Sequence, residues 1–566
     1  MSARAHAAPA GRLWVARARG EVGRALRVVE ALPVRRVLAG FVAVQWATVL
    51  ALALVVRHAG WIYYQGGDQL WLYTSGWLLG HGHLTQTRVG YGWPAYLAPI
   101  ARIAGANLVS ALPVIVLVNV LVLLPASLLS LYGIARRIGG RLFGYWAVVV
   151  WIALPFFGIL YTNEGYHQKY TELSLPQLFG LTAMADMPTA AFALVSAYFF
   201  AKVLFDDQPA LVDAVAAGTA AGVAIAIKPA TSLFLVGPAL ALAYRRRIPQ
   251  AAAAVAGIAP AVITLAVWKE RGLGQLPALA RSGVAGLAAV QPLAALPFSK
   301  YLHQLNWPQF RGNLGLIQEH FWSVRLLEWV VLAGVIALAR RSRTAAILVG
   351  AWFFAFAIVK GSFVGASVED SSLLRLMIPA FPALVLLVAG LPFLLPGVPR
   401  RARVEPPAWA GPAPRTRWAL IGAVVLLSAV VPLAAFAAAS TGPGPDVTTV
   451  GQEIMPIPAN IDIGLTATRS GRTVSLAWRK QTPLGGPVFF RIWRSPTDTL
   501  TCSTGTGGSI CNVTMPEVGT THADEFVDRP KPGRWVYRVA VAANWLNSAE
   551  YGDPYLVSRA VTVTVP

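Results

Sequence analysis

The sequence predicts a polytopic α-helical membrane protein of about eleven transmembrane helices, followed by an all-β sandwich. Three observations predict it. Of the 566 residues, 56% are hydrophobic and only 13% are charged, which is about half the charge of an ordinary soluble domain. The apolar residues gather in runs of about 20, the length that crosses roughly 30 Å of hydrocarbon, whereas a buried helix of a soluble protein needs only about 10–14. Beyond about residue 460 these runs stop, and strand-like alternation with Gly and Pro turns replaces them.

Residues 1–36 are rich in arginine and nearly free of acid, so they are expected in the cytoplasm. The first apolar run ends near Val56. It is too long for a signal-peptide core and no small-residue cleavage site follows it, so it reads as a retained span. Further runs lie at about 108–132, 142–161, 187–204, 210–227, 229–244, 250–268, 324–340, 344–360, 373–395 and 418–438. Between 210–227 and 229–244 only Lys228-Pro229 intervenes, and a re-entrant hairpin is the alternative to two spans there.

Counting the runs alternately puts Arg136, Arg137 and Arg141 on the side of the N-terminus. It puts Arg245 to Arg247, Arg340, Arg341 and Arg343 there as well, and then Arg400, Arg401, Arg403, Arg415 and Arg417. Every basic cluster falls on one side, as the positive-inside bias requires. The membrane domain is thus 37–438, with outer segments 57–107, 162–186 and 269–323. A linker at 439–459 leads to the extracytoplasmic residues 460–566. Loops of this size commonly carry function.

The net charge of +22 is placed mostly in short loops between apolar runs. That is a topology signal, and with no basic recognition motif it excludes a nucleic-acid partner. The only cysteines, Cys502 and Cys511, are too few for a paired-cysteine metal site, and a local disulfide is the expectation in an oxidising compartment. Asn512-Val513-Thr514 is a glycosylation triplet with no other sign of a eukaryotic secretory route beside it.

In the C-terminal domain, strands are predicted at 473–478, 488–493, 535–541 and 561–565. Phe526-Val-Asp-Arg-Pro-Lys-Pro-Gly533 followed by Trp535-Val-Tyr-Arg-Val resembles the E-to-F corner and F strand of a fibronectin type III domain. Trp478 stands where that family keeps a buried strand-B tryptophan, and Trp535 where it usually keeps a tyrosine.

The most informative outer segment is Tyr63-Tyr-Gln-Gly-Gly-Asp68-Gln-Leu-Trp-Leu-Tyr73, continuing to His81-Gly-His83. Asp68 is its one carboxylate, set in an aromatic stretch beside the membrane. A carboxylate there must be hydrated, paired or functional, and low-dielectric surroundings suit a general base. Capping a helix that begins at Gln69 is the plain alternative.

Asp68, Tyr73, Leu79-Gly80-His81-Gly82 and Tyr91-Gly-Trp-Pro94 together resemble the first outer loop of GT-C membrane glycosyltransferases. The branch in question comprises bacterial relatives of protein O-mannosyltransferases and of the lipid A aminoarabinose transferase. Ala185-Asp186-Met-Pro188, Ile227-Lys228-Pro229 and Arg375-Leu-Met-Ile-Pro379-Ala-Phe-Pro382 match later elements of that family in order, over about 60–395. The resemblance implies a GT-C-like bundle in a bacterial plasma membrane. It also implies an inverting transfer from a polyprenyl-phosphate-sugar donor to a hydroxyl of a glycan, lipid or protein acceptor at the outer face. Asp68 would be the base. Where the family often places a second acid, this chain has Gln69.

Arg375 and Lys228, at outer ends of spans, suit the donor phosphate, with interfacial snorkelling as the alternative. Asp186 is an acceptor or metal candidate or else a helix cap. Glu164 and His167 are acceptor or metal candidates within a loop that also carries Lys169 and Glu172, and a solvated charged loop is the plainer reading. A divalent metal is thus an open expectation, and the pair His81 and His83 alone supplies too few ligands for one. Glu369 and Asp370 are expected to pair with Arg375. A multi-span transporter, or a polyprenyl-linked glycan ligase or polymerase with an external binding domain, remains the alternative. A non-catalytic anchor needs only one span.

Overall fold

In the computed structural model of the chain, residues 32–273, 305–395, 414–439, 447–456 and 462–566 are described, short internal stretches apart. The first half forms α1 (Val34–Val55), α2 (Gly67–Gly80), α3 (Gly92–Ala104), α4 (Leu108–Gly139), α5 (Arg141–Tyr161), α6 (Glu164–Ser174), α7 (Asp186–Phe205) and α8 (Leu211–Ile227). Next come α9 (Pro229–Tyr244), α10 (Ile248–Leu273), α11 (Trp307–His320), α12 (Val324–Arg341), α13 (Arg343–Gly361), α14 (Ser372–Leu376), α15 (Ile378–Leu394) and α16 (Arg415–Ala438).

Each predicted apolar run coincides with one of these helices. Among the described residues, seven are long and apolar enough to cross a membrane: α1, α4, α5, α7, α10, α13 and α16. The remaining runs fall on α8, α9 and α15, which are apolar but shorter, and on α12, whose ends carry Arg325, Glu328, Arg340 and Arg341. The fold is therefore a polytopic helical membrane protein.

The packing explains the composition. α7, α8 and α10 form the tightest part of the bundle. α8 is nearly all Ala and Gly on its packed face, and a Cβ on Gly218 would lie 1.9 Å from the Ala254 carbonyl oxygen of α10. Only glycine lets the two backbones approach that closely. Small residues spaced by four, as in Gly218 and Gly222, are a recurring basis of helix contact in lipid, where no hydrophobic drive pulls helices together.

α7 and α8 form an antiparallel hairpin tied at both ends by ion pairs. At one end Lys202 Nζ lies 2.5 Å from Asp213 Oδ1, and at the other Lys228 Nζ lies 2.5 Å from Asp186 Oδ1. The first end also holds the Arg137–Asp206 pair and the hydrogen bond from Arg341 to the Ile138 carbonyl, so it is the basic end of the bundle. Helices α2, α3, α6, α11 and α14 lie toward the other end, which we call the loop end.

The C-terminal part is antiparallel β structure: β1 (Val447–Val450), β2 (Glu453–Pro456), β3 (Thr466–Ser470), β4 (Thr473–Ala477), β5 (Val488–Ser495) and β6 (Ser503–Gly505). It continues with β7 (Gly508–Ile510), β8 (Glu517–Thr521), β9 (Glu525–Asp528), β10 (Gly533–Ala543), β11 (Pro554–Val557) and β12 (Val561–Val565). The two larger sheets have the orders β3-β4-β9 and β11-β10-β5-β8, the latter with β12 also paired to β10, and β1–β2 and β6–β7 form two-stranded sheets. The four predicted strands are β4, β5, β10 and β12. Their inward residues Val474, Leu476, Phe490, Ile492, Tyr537 and Val539 make the core between the sheets, with Trp478 set edge-on against Phe490. Alternation of period two puts every second residue inside.

Among the described residues this part meets the bundle at β2 and at the β6–β7 hairpin. The Ile454 amide of β2 donates to the Ala106 carbonyl at 3.0 Å, and Ile454 is buried among Leu70, Trp71 and Leu112. The hairpin β6–β7 lies against α2. Cys502 and Cys511, which flank that hairpin in sequence, lie outside the described residues, as do 1–28, 274–304 and most of the linker.

Candidate functional site

The site is built at the loop end. Asp68 stands in the first turn of α2, where a carboxylate meets the positive end of the helix dipole. Its Oδ2 lies 2.6 Å from Nη2 of Arg375. Arg375 reaches it because Ser371 adopts a left-handed conformation, φ 63°, which turns the chain into the short helix α14. The Asp68 side chain is 51% exposed and that of Arg375 is 18% exposed, so this pair is open to solvent on the acid's side.

The second pair differs. Asp186 is fully buried at the start of α7, and its Oδ2 is enclosed without a hydrogen-bond partner among the described residues. Lys228 occupies the extended break between α8 and α9, with its side chain 25% exposed. Its closeness to Pro229 reflects a backbone that leaves the helix, so the ammonium folds back onto Asp186.

The two pairs are linked through Ala183. Its amide donates to Oε1 of the buried Gln69, next to Asp68, at 3.3 Å. Its carbonyl accepts from Nε1 of Trp93 at 2.7 Å. The Tyr91-Gly-Trp-Pro element is thus seated against the segment leading to Asp186. It also rests on the end of α8, where a Cβ on Gly90 would lie 2.0 Å from the Ala226 carbonyl oxygen. Asp68, Arg375, Asp186 and Lys228 therefore gather at one end of the bundle.

A further cation was not anticipated from sequence. Lys360, at the end of α13, lies within electrostatic reach of Lys228. Its signal was a lone lysine closing an apolar run, which reads equally well as a snorkelling side chain.

The expected pairing of Glu369 with Arg375 is corrected by the structure. Glu369 instead meets Lys169 Nζ at 3.1 Å and His320 Nε2 at 2.8 Å. The hydrogen bonds from His320 and Lys169 hold its carboxyl below the usual range. Asp370 lies outside the described residues. Glu164 is exposed in the first turn of α6, which Asn163 caps, and His167 Nε2 lies 2.7 Å from the Thr162 carbonyl oxygen. Among the described residues neither side chain bonds to a member of the two pairs.

The fit of a divalent metal can be judged from the donors. Each site carboxylate is matched to a cation, and among the described residues no three His, Cys, Asp or Glu side chains form a metal-holding group. His81 is held locally, with Nδ1 2.7 Å from the Trp77 carbonyl oxygen. The site's donors among the described residues do not fit a metal centre.

Fold and site thus define a multi-span membrane protein with a solvent-reachable carboxylate–guanidinium pair at one end and an antiparallel β unit touching the same end. No protein-family model and no curated protein matches the sequence. Among solved structures the chain is similar to ArnT from Cupriavidus metallidurans bound to undecaprenyl phosphate, at 14% identity and a TM-score of 0.41. That similarity covers 63% of this chain and 60% of the other, so the chain spans less than two thirds of its length.

Proposed function

We propose that the chain is a membrane glycosyltransferase of GT-C type, moving a sugar from a polyprenyl-phosphate donor to an acceptor hydroxyl at the outer face. The observation that carries this reading is the Asp68–Arg375 pair, 2.6 Å across and half open on the acid's side. A guanidinium presents a planar fork that matches phosphate oxygens as well as it matches a carboxylate. An arriving donor phosphate can therefore take the place of Asp68 on Arg375.

That exchange frees the carboxylate beside the reacting centre. Asp68 then takes the proton of the acceptor hydroxyl while the acceptor oxygen bonds to the anomeric carbon. The bond from that carbon to the phosphate oxygen breaks, the polyprenyl phosphate leaves on Arg375, and the configuration inverts. Lys360 and Lys228 add positive potential for the leaving phosphate. Lys228 is itself committed to the buried Asp186, so we assign this second pair to holding the site's shape.

The β unit reads as fibronectin type III-like. Its three-stranded sheet β3-β4-β9 and its five-stranded sheet, β11-β10-β5-β8 with β12 also on β10, support that reading, with one strand more than the seven of the simplest sandwich. Trp535 donates its indole N–H to the Lys531 carbonyl at 2.7 Å, four residues upstream, as a corner tyrosine would with its hydroxyl. The basic end of the bundle faces the cytoplasm and the β unit faces outward, in a bacterial plasma membrane, with a glycan, lipid or protein as acceptor.

Binding of undecaprenyl phosphate to the purified protein tests the exchange. Arg375→Ala should weaken it tenfold or more, because a charge-assisted bidentate contact is lost. Asp68→Asn should bind at least as tightly as the wild type, because the competitor on Arg375 is gone. Unchanged binding by Arg375→Ala, or weaker binding by Asp68→Asn, would reject the reading.

A further inference from the structure

A cavity of about 670 Å³ opens at the basic end of the bundle, between α7, α8 and α16, and far from the site described above. Asp186 and Lys202 lie at opposite ends of α7, which at 1.5 Å per residue separates them by about 24 Å. The mouth of the cavity carries Arg35, Lys202 and Arg417 against one carboxylate, Asp213. Asp213 is shared, with Lys202 Nζ at 2.5 Å and Arg417 Nη1 at 3.5 Å. Three cations to one acid make the mouth suited to an anion.

The inner limb has the opposite character. Phe192, Val195 and Phe199 of α7 face Leu420, Ile421 and Val424 of α16. From Phe192 to Lys202 the cavity follows α7 for about 15 Å. That is half of the roughly 30 Å hydrocarbon core, the depth of one leaflet. A small soluble anion has no use for such an apolar limb, and a neutral lipid has no use for the cations at its mouth. The volume lies within the range of ligand sites, about 300–1,000 Å³.

We propose that this cavity binds an anionic phospholipid of the cytoplasmic leaflet, its phosphate at Arg35, Lys202 and Arg417 and an acyl chain between α7 and α16. The site is independent of the glycosyl-transfer reading and shares none of its residues. It depends only on the basic end facing the cytoplasm, whose leaflet is rich in anionic lipid. A lipid seated there joins α16, which leads to the β unit, to the α7–α8 hairpin that carries Asp186 and Lys228 at its far end.

The test is native mass spectrometry of the full-length protein in neutral detergent. It is titrated with dioleoyl phosphatidylglycerol, with dioleoyl phosphatidylcholine, and with phosphatidylglycerol in the presence of inorganic phosphate. Phosphatidylglycerol should be retained at least tenfold more tightly than phosphatidylcholine, and millimolar phosphate should not displace it. Removing one cation near an anionic lipid surface costs about fivefold in affinity, so Arg35→Ala should lose about that and Arg35→Ala with Arg417→Ala about thirtyfold.

Ala216 of α8 lines the same cavity, and Ala216→Trp, which fills it while leaving the cations, should lose phosphatidylglycerol as well. Arg35 is exposed, so its single variant keeps the test decisive if the double variant does not fold. Equal retention of the two lipids would overturn the proposal. So would full retention by Arg35→Ala, or displacement by inorganic phosphate alone.

Discussion

The Asp186–Lys228 pair predicts an asymmetry that can be measured. Its two members differ in their access to water: the Asp186 side chain is 1% exposed and that of Lys228 is 25% exposed. Lys228→Met leaves a carboxylate enclosed with no cation, the case in which breaking a buried pair costs about 3–5 kcal/mol. Asp186→Asn leaves an ammonium that still reaches solvent, and should cost less, about 1–2 kcal/mol. At about 2 °C per kcal/mol for a chain of this size, thermal unfolding in detergent should drop by about 6–10 °C and about 2–4 °C respectively. The double variant removes both charges and should be more stable than Lys228→Met alone, with a coupling of about 2 kcal/mol. Equal losses, a larger loss for Asp186→Asn, or additive losses would refute the clamp role given to this pair.

Two further predictions follow from geometry elsewhere. Gly90→Ala places a methyl 2.0 Å from the Ala226 carbonyl oxygen, a backbone atom that cannot swing aside. It should destabilise by about 2–3 kcal/mol and lower transfer by displacing Trp93 and Ala183, read from thermal unfolding and activity on the same preparation. In the β unit, hydrogen bonding from Arg538 holds the Asp498 carboxyl below its usual range. A depressed carboxylate contributes stability above its unfolded value of about 3.9 and loses it as pH falls through the folded value. Hydrogen exchange of β5 and β10, corrected for intrinsic rates, should therefore lose protection below about pH 4 in the wild type. In Arg538→Met the protection should be lower already at neutral pH and lack that acid step. An acid step of equal size in the variant would contradict the assignment.

The apolar runs were legible because a bilayer imposes one length on every span. Each run met a helix, and the four strand segments met β4, β5, β10 and β12. The number of long helices was less legible. Pro229 and Pro379 open α9 and α15 with 3₁₀ segments, which shortens the regular helix without changing the apolar count.

Asp68, Asp186, Lys228 and Arg375 stand out singly in the sequence, but their pairing does not. Asp68 and Arg375 come together only through packing of helices far apart in the chain, and Asp186 and Lys228 only through the antiparallel closure of α7 on α8. Sequence adjacency favoured Glu369 for Arg375 instead. It misled because the left-handed Ser371 turns Arg375 toward α2, while Glu369 faces Lys169 and His320. In sequence Asp186 reads equally as an acceptor or metal candidate and as a helix cap, because it opens an apolar run. Its burial against Lys228, which no local pattern encodes, supports the proposed clamp role.

The central claim is that Asp68 removes the acceptor proton once donor phosphate has displaced it from Arg375. Transfer of radiolabelled sugar from a polyprenyl phosphate in membrane vesicles, comparing the wild type with Asp68→Asn at matched protein levels, tests it most directly. The account predicts robust incorporation by the wild type and a loss of about 10²–10⁴-fold in the variant, the usual contribution of a positioned base. Equal incorporation by the two proteins would contradict it.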